Sequence, residues 1–523
     1  MKRRQFLKTT TAAAATPIFV NGIAVSALAN SSLFSSINGQ SDRVLVLIQL
    51  NGGNDGLNTF IPLDYYDNLA NLRSNVLIPE NNLLTFEDTI GLHPNMTGIK
   101  NVYENAQMSV IQSVGYPQQN RSHFRSTDIW TSGSSSSEFV NTGWLGRYFD
   151  EQYANYPEEY PNEDCPDPFA ITVGSQVSQT CQGLGGNFSI AINDPTNLNP
   201  LATGGSDDVP DTLYGMELEF LRQTIEQTNA YGDSVTAAAD LGVNMVDYPA
   251  DNALAQKLKN VALMISGGLQ TKVYIVSIGG FDTHANQVEI NDPTIGEHAT
   301  LLSSLSQAIE VFQADLNAQD LDQRVIGMTF SEFGRRIRSN ASFGTDHGDA
   351  APMILFGSCV NPGIVGDNPV IGTEDQVGIE TGVPMQFDFR DIYGSILMDW
   401  FEIEETMVQN LLYNDFNYMP ILEPCLETNT GNLSFSKAGL NLKASPNPVL
   451  SETLISFDSA NELVALTVAN ANGQVIETLI NKTLQAGEHQ ITFDASHLAA
   501  GNYYVNLKME DGRQKTILIH KLK

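Results

Sequence analysis

Asp282 and His284 stand one residue apart in the segment Ile278-Gly279-Gly280-Phe281-Asp282-Thr283-His284, directly after an apolar, β-branched run from Lys272 to Ile278. A run of that kind fills a strand buried on both faces, and two glycines then release the chain into a turn. A carboxylate and an imidazole at such a place can bind a cation or move protons, because ligands of an open α/β sheet bind outside the carboxyl ends of its strands. The alternative is a turn-forming Asp beside an exposed His. Repetition favours the first. Arg43 to Leu50 runs into Asn51-Gly52-Gly53-Asn54-Asp55-Gly56, Met108 to Val114 runs into a loop holding Arg121-Ser122-His123-Phe124-Arg125, and Arg324 to Phe330 runs into Ser331-Glu332-Phe333-Gly334-Arg335-Arg336. Gly344-Thr345-Asp346-His347-Gly348 comes just before another buried run, Pro352 to Phe356. Five such loops can meet at one edge of a sheet.

The text between the loops must position them. Residues 253 to 265 put Leu254, Leu258, Val261, Ala262 and Ile265 on one helical face before the strand that leads to Asp282. Residues 297 to 316 do the same with Leu301, Leu302, Leu305, Ala308, Ile309, Phe312 and Leu316 before the strand that leads to Glu332. Such alternation predicts an α/β core over residues 30 to 427, a mainly parallel sheet with helices on both faces. Asp391 to Phe401 reads as its last helix. Residues 150 to 251 turn acidic and rich in Pro and Gly, as in Tyr156-Pro157-Glu158-Glu159-Tyr160-Pro161, and read as an insertion or lid beside the site. Residues 428 to 441 are small and polar, a linker. From 442 to 523 the period becomes two, with Asn472-Gly473 and Asp511-Gly512 as hairpin turns, so the chain should end in a small β-sandwich. That module has no clustered acids or histidines to support catalysis.

At 523 residues the chain is long enough for a large core and a smaller module. Its formal net charge of -33 argues against nucleic acid as a partner, since no basic stripe exists to neutralise phosphates. An anionic substrate then needs a local positive patch or a bound metal. Scarce arginines gather at the motifs: Arg121 and Arg125 flank Ser122, and Arg335, Arg336 and Arg338 follow Glu332. Their guanidinium forks either anchor a phosphate or sulfate or pair with nearby acids. His123, His284 and His347 fall in the motif loops, whereas His93 reads as a helix-start residue and His298 as a helix-surface residue. Lys2-Arg3-Arg4-Gln5-Phe6-Leu7-Lys8, the apolar stretch from Thr9 to Val25 and Ala27-Leu28-Ala29 have the form of a twin-arginine export signal over residues 1 to 29. No later stretch approaches the length of a membrane span, so a soluble protein outside the cytoplasm is expected. A Cys165–Cys181 disulfide can close a surface loop, leaving Cys359 and Cys425 to bridge or stay free.

Asn51-Gly52-Gly53-Asn54-Asp55-Gly56-Leu57-Asn58, Arg121-Ser122-His123-Phe124, Gly280-Phe281-Asp282-Thr283-His284, Ser331-Glu332-Phe333-Gly334-Arg335 and Gly344-Thr345-Asp346-His347-Gly348 together resemble one exported family. It is domain of unknown function 1501, often labelled sulfatase-like and grouped with the alkaline phosphatase superfamily, and the likeness covers about residues 43 to 425. Ser445-Pro446-Asn447-Pro448, Asn472-Gly473-Gln474-Val475 and Leu498-Ala499-Ala500-Gly501-Asn502-Tyr503-Tyr504-Val505 resemble a type IX secretion sorting domain. That resemblance implies export and type IX secretion machinery as partners, and passage through the periplasm to the cell surface or medium.

The superfamily resemblance implies one or two divalent cations, such as Zn, Mg, Mn or Ca, held by Asp and His at strand ends, with a side chain at a helix N-terminus attacking phosphorus or sulfur. On that pattern Asp55 is a metal-bridging acid, Asp282 and His284 a second acid and imidazole, and His347 the last metal histidine. Ser122 takes the nucleophile position, ahead of a helix-like segment from Phe124 to Trp130 whose amides stabilise an anion. Glu332 stands where the superfamily has an Asp, but Phe333 follows where a His is common. Either Glu332 is a ligand, or Asp346-His347 is the Asp-His pair and Glu332 is structural. His123 either orients Ser122 or is itself the reactive group. The Cys/Ser-x-Pro-x-Arg context that sulfatases oxidise is absent, so oxidative activation of Ser122 is not expected. The expectation is a secreted metal-dependent hydrolase of phosphate or sulfate esters, acting on a small or polymeric anionic substrate. The alternative is a non-catalytic surface protein of the same fold that binds glycan or anionic polymer.

Overall fold

Runs of β-branched and large apolar residues form the centre of the fold, and their order along the chain is that of the motif loops. The structure, a computed structural model, describes residues 19–20, 23–24, 42–202, 212–413, 416–423, 425, 442–445, 449, 451–459, 462–470, 475–485, 487–498, 501–509 and 514–521. The chain divides into two units, Met1–Thr428 and Asn429–Lys523.

In the first unit, the elements that bear on the site are, in chain order, strands β1 (Val44–Asn51) and β2 (Met108–Gly115), helix α1 (His123–Ser132), and strands β3 (Ala170–Val173) and β4 (Ser189–Ile192). Helices α2 (Leu213–Leu241) and α3 (Ala253–Ser266), strand β5 (Val273–Gly279) and helix α4 (Glu297–Ala318) follow. Strands β6 (Val325–Phe330), β7 (Arg335–Ser339), β8 (Thr345–His347), β9 (Ala351–Phe356) and β10 (Gly363–Val365) lead to helix α5 (Phe389–Asp399).

Strands β10, β2, β9, β6, β1, β5, β3 and β4 lie side by side in that order, and Phe387–Asp388 also pairs with β2. All these pairings are parallel except those of β9, which runs antiparallel to β6 and β2. Alternate side chains of one strand feed two cores. Val44, Val46, Ile48 and Leu50 of β1 pack with Leu258 of α3 and Leu305 of α4 on one face. Leu45 and Leu47 pack with Trp130 of α1 and Ile392 of α5 on the other. That double burial explains why β1 reads as a nearly unbroken apolar run.

The α/β class and the strand and helix bounds follow the sequence closely, with three corrections. Residues 150–251 are not a separate lid: β3 and β4 carry short apolar runs that extend the sheet beyond β5, and α2 packs on α3. Asp391–Phe401 is not the last helix, because Glu405–Leu411 follows α5. The disulfide joins Cys359 to Cys425, while Cys165 and Cys181 are not bridged. Cys181 is fully buried in the aromatic-rich core beneath the sheet, where it packs as a small apolar residue.

The second unit consists of Leu442–Ser445, Glu452–Ser459, Glu462–Asn470, Val475–Leu484, Gly487–Asp494, Gly501–Met509 and Gln514–Lys521, arranged as a three-stranded and a four-stranded antiparallel sheet. Ile455, Phe457 and Phe493 of one sheet meet Val464, Leu466, Val468, Val505 and Leu507 of the other in a core of their own. The expected turns at Asn472-Gly473 and Asp511-Gly512, the linker and nearly all of the export segment lie outside the described residues. Among the described residues no helix is long and apolar enough to cross a membrane.

A module whose core is closed on itself should be removable. Deleting residues 442–523 is expected to leave the thermal midpoint of the remaining chain unchanged, as followed by calorimetry. A drop of many degrees would show that the first unit depends on the second.

Candidate metal centre

Parallel strands β1, β2, β5 and β6 all end at one edge of the sheet, and antiparallel β9 begins there, so five loops converge. Their close approach requires glycine at two points. At Gly52 φ is 123° and a Cβ would stand 2.2 Å from the Asp282 nitrogen. At Gly344 a Cβ would meet the His284 carbonyl group at 2.4 Å. Arg335, the first residue of β7, ties the loops together from inside. Its Nε donates to the Gly53 carbonyl at 2.8 Å and its Nη1 to the Thr345 carbonyl at 2.8 Å. Its Nη2 donates to the carbonyls of Gly52 and Phe281 and to Asp282 Oδ1, the last two at 2.8 Å.

Asp282 is thereby presented to three imidazoles. His284 Nε2 lies 3.2 Å and His347 Nε2 3.1 Å from Asp282 Oδ1, and the two nitrogens are 2.8 Å apart. His123 Nε2 lies 3.4 Å from the other oxygen, Oδ2. Ligand atoms of His123, Asp282 and His347 fall within 4.8 Å of one another. Each ring is anchored through its remaining nitrogen: His123 Nδ1 on Glu332 Oε1 at 2.7 Å, His284 Nδ1 on Asp346 Oδ1 at 2.9 Å and His347 Nδ1 on the Arg121 carbonyl oxygen at 2.8 Å.

These anchors set the proton positions. A carbonyl oxygen only accepts, so His347 carries its proton on Nδ1 and turns a lone pair on Nε2 towards Asp282. Asp346 places His284 in the same state: partial burial raises the Asp346 carboxyl, but hydrogen bonds from His284 and Asn340 and the Arg336 charge hold it below the usual range. For Asp282, burial pushes upward, while the hydrogen bond and charge of Arg335, with the neighbouring His347 and His284, outweigh it and hold the carboxyl at about 2. Burial pushes the His347 imidazole down, against the Arg121 carbonyl and Asp282. Two lone pairs and an ionised oxygen at such distances repel one another unless a cation lies between them. Histidines backed by carboxylate or carbonyl at Nδ1 are the usual surroundings of a divalent ion. The donor set therefore fits a metal. Side-chain exposure runs from 21% at His347 to 46% at Asp282, which leaves a face open for water or substrate.

Other expected site residues are placed differently. Asp55 is not brought to this group: it is buried, and its Oδ2 accepts from Arg73 and from Gln287 Nε2 at 2.6 Å. Gln287 Oε1 accepts in turn from the Thr283 and Thr345 hydroxyls. Glu332 is buried behind His123 and accepts from the Gly52 amide at 2.8 Å, and Asp346 stands behind His284. Ser122 is exposed at the N-cap of α1 and makes no cap bond, while its neighbours on both sides are tied into the cluster.

The arginines expected to anchor an anion are paired instead. Arg121 grips both oxygens of Asp349, at 2.9 and 2.7 Å. Arg125 donates to the carbonyls of Ser135, Ser136 and Glu138 and lies 3.9 Å over the Phe139 ring. Arg335 is the buried clamp, and Arg336 spans Asp346 and Glu380. His298, expected on a helix surface, is buried, because it shares a face of α4 with Leu302 and Leu305; its Nε2 meets Asn54 Oδ1 at 3.0 Å. Arg73 and Gln287 escaped notice in the sequence. An arginine between Leu72 and Val76 was the available sign, since a charge within apolar text needs a buried partner.

Residues 42–411 match the family model described as Protein of unknown function (DUF1501), well over half of the chain. The chain belongs to that family. Residues 443–521 match the secretion system C-terminal sorting domain, which marks the DUF1501 core for secretion to the cell surface or medium. No curated protein matches the chain. Among solved structures, a phosphonate monoester hydrolase from Silicibacter pomeroyi is similar over 92% of this chain and 89% of its own, at 10% identity and a TM-score of 0.33. A protein in the alkaline phosphatase superfamily from Vibrio parahaemolyticus is similar over 99% and 91%, at 11% identity and a TM-score of 0.33. PorZ, a surface component of the type-IX secretion system of Porphyromonas gingivalis, is similar over 16% of this chain and 11% of its own, at 13% identity and a TM-score of 0.13. With likenesses this distant, the chemistry of the DUF1501 core rests on its own residues.

Two outcomes are expected. Lysine at position 335 brings three donors to five acceptors, so Arg335→Lys should leave at least two unpaired, at about 1–3 kcal/mol each; an unchanged urea midpoint would show that the loops hold without the clamp. The second concerns pH. Burial pushes the His298 imidazole down to about 4, against the Asp55 charge, and the His93 imidazole down to about 3, with His298 adding to the effect. An unfolded histidine takes its proton near pH ~6.5, before the folded ones do, so this contribution to stability is full above that pH and falls as pH drops towards 4 and then 3. Urea midpoints at pH 7 and 5 should show a loss that shrinks in His298→Gln; equal losses would exclude His298 as its source.

Proposed function

We propose that this protein is a secreted, metal-dependent hydrolase of phosphate or sulfate esters. The observation that carries the proposal is the convergence of imidazole Nε2 atoms on Asp282 with every Nδ1 anchored. The resemblance of the motif loops to the alkaline phosphatase superfamily supports the ester class. Asp282, His284 and His347 would hold a divalent cation, which when bound supplies positive charge to an ester oxygen and to an attacking hydroxyl.

The chain's own residues do the rest. Ser122 is the attacking side chain: its exposed hydroxyl stands at the N-terminus of α1, where no side chain caps the first amides, so these are available to a non-bridging oxygen. His123, oriented by Glu332, accepts the hydroxyl proton. Arg335 fixes the direction of Asp282. Attack forms the serine ester and releases the alcohol, and water then regenerates Ser122. One observation favours the non-catalytic alternative, namely that Arg121, Arg125 and Arg336 are already paired.

The purified protein should carry metal near stoichiometry and hydrolyse an aryl phosphate or aryl sulfate, with turnover abolished by chelator. Ser122→Ala should lower turnover by roughly 10³ or more while keeping the metal. An active Ser122→Ala enzyme would remove Ser122 from the mechanism, and a metal-free, inactive protein of normal stability would favour the non-catalytic surface protein.

A further inference from the structure

The centre has more acids at its loops than one cation needs, and they differ in what they are paired with. Asp55 and Arg73 form a buried ion pair, their side chains 1% and 0% exposed, and Gln287 takes the same carboxylate oxygen. Glu332 Oε1 receives His123 Nδ1 and the Gly52 amide. Asp346 receives His284 Nδ1, Asn340 Nδ2 and Arg336. Of these acids, Asp282 is the one that meets imidazole Nε2 atoms among the described residues. Within the cluster, Asp282 Oδ1, His284 Nε2 and His347 Nε2 lie 2.8–3.2 Å from one another, whereas His123 addresses the far oxygen at 3.4 Å.

We propose that the centre takes a single divalent transition-metal ion held by Asp282, His284 and His347, and that the Arg73 guanidinium on Asp55 stands in place of a second cation. The inference rests on the metal-centre reading above and departs from a two-cation arrangement. A guanidinium keeps its charge at any working pH, so Asp55 has a permanent counter-ion on Oδ2, and its buried Oδ1 already has its charge balanced by that pair. Two imidazole nitrogens and one carboxylate oxygen suit Zn and its neighbours; Mg and Ca prefer sets built from oxygen.

The test is stoichiometry, which does not depend on turnover. Chelator-treated full-length protein is titrated with Zn2+ in a calorimeter, and its metal content is measured after dialysis. One equivalent is expected for the wild type, Asp55→Asn, Glu332→Gln and His123→Ala, and none for His284→Ala or His347→Ala. Mg2+ and Ca2+ should bind at least ~10²-fold more weakly. Two equivalents in the wild type, one of them lost in Asp55→Asn or Glu332→Gln, would overturn the single-cation assignment. Should Asp55→Asn fail to fold, Glu332→Gln decides the same question. Loss of the metal in His123→Ala would overturn the three-residue ligand set, and tighter binding of Mg2+ or Ca2+ would overturn the metal class. A wild type that binds no metal would instead remove the reading beneath the inference, and the inference with it.

Discussion

The site is organised by one buried guanidinium. Arg335 has five hydrogen-bonding partners in three separate stretches of chain, and four of the five acceptors are backbone carbonyls. Sheets place loop ends near one another, but they do not stop short glycine-bearing loops from moving. A planar fork with fixed donor directions does, and its charge also holds Asp282 ionised. Ligands of a cation would have to keep their directions to a fraction of an ångström, so rigidity in these loops would be a chemical requirement as much as a structural one.

Much of this was legible in the sequence, because the signals were local. Val44–Asn51 and Val273–Gly279 announce themselves by unbroken apolar text, and α3 and α4 by their apolar stripes, all within a residue or two of the observed bounds. The loops carrying Asp282, His284 and His347 stood out because polar and glycine text follows or precedes such runs. What the sequence hid was pairing. Nothing local to Asp55 tells that Gln287, 232 residues later, shares its Oδ2 with Arg73, and nothing local to Arg121 tells that Asp349, 228 residues later, takes its Nε–Nη2 edge. The direction of β9 was equally hidden, since strand text reads the same for parallel and antiparallel neighbours.

Charge is managed locally. In a chain of net charge -33, every guanidinium near the site has found a carboxylate or a set of carbonyls, so the rim carries ion pairs instead of a positive field. Attraction of an anion to such a rim would have to come from a bound cation and from the uncapped amides of α1, both short-ranged. Selection among anions would then occur at contact, with little long-range steering.

The three imidazoles differ in what holds them. His123 and His284 lean on the side chains of Glu332 and Asp346, which a single nucleotide change can replace. His347 leans on the main-chain carbonyl of Arg121, an acceptor that every amino acid at that position would supply. Genetic drift can therefore retune two of the rings one step at a time, while the third is insulated from it and yields only to an insertion, a deletion or a proline that redirects the backbone. Among descendants of this sequence, the orientation of His347 should outlast the residue that anchors it.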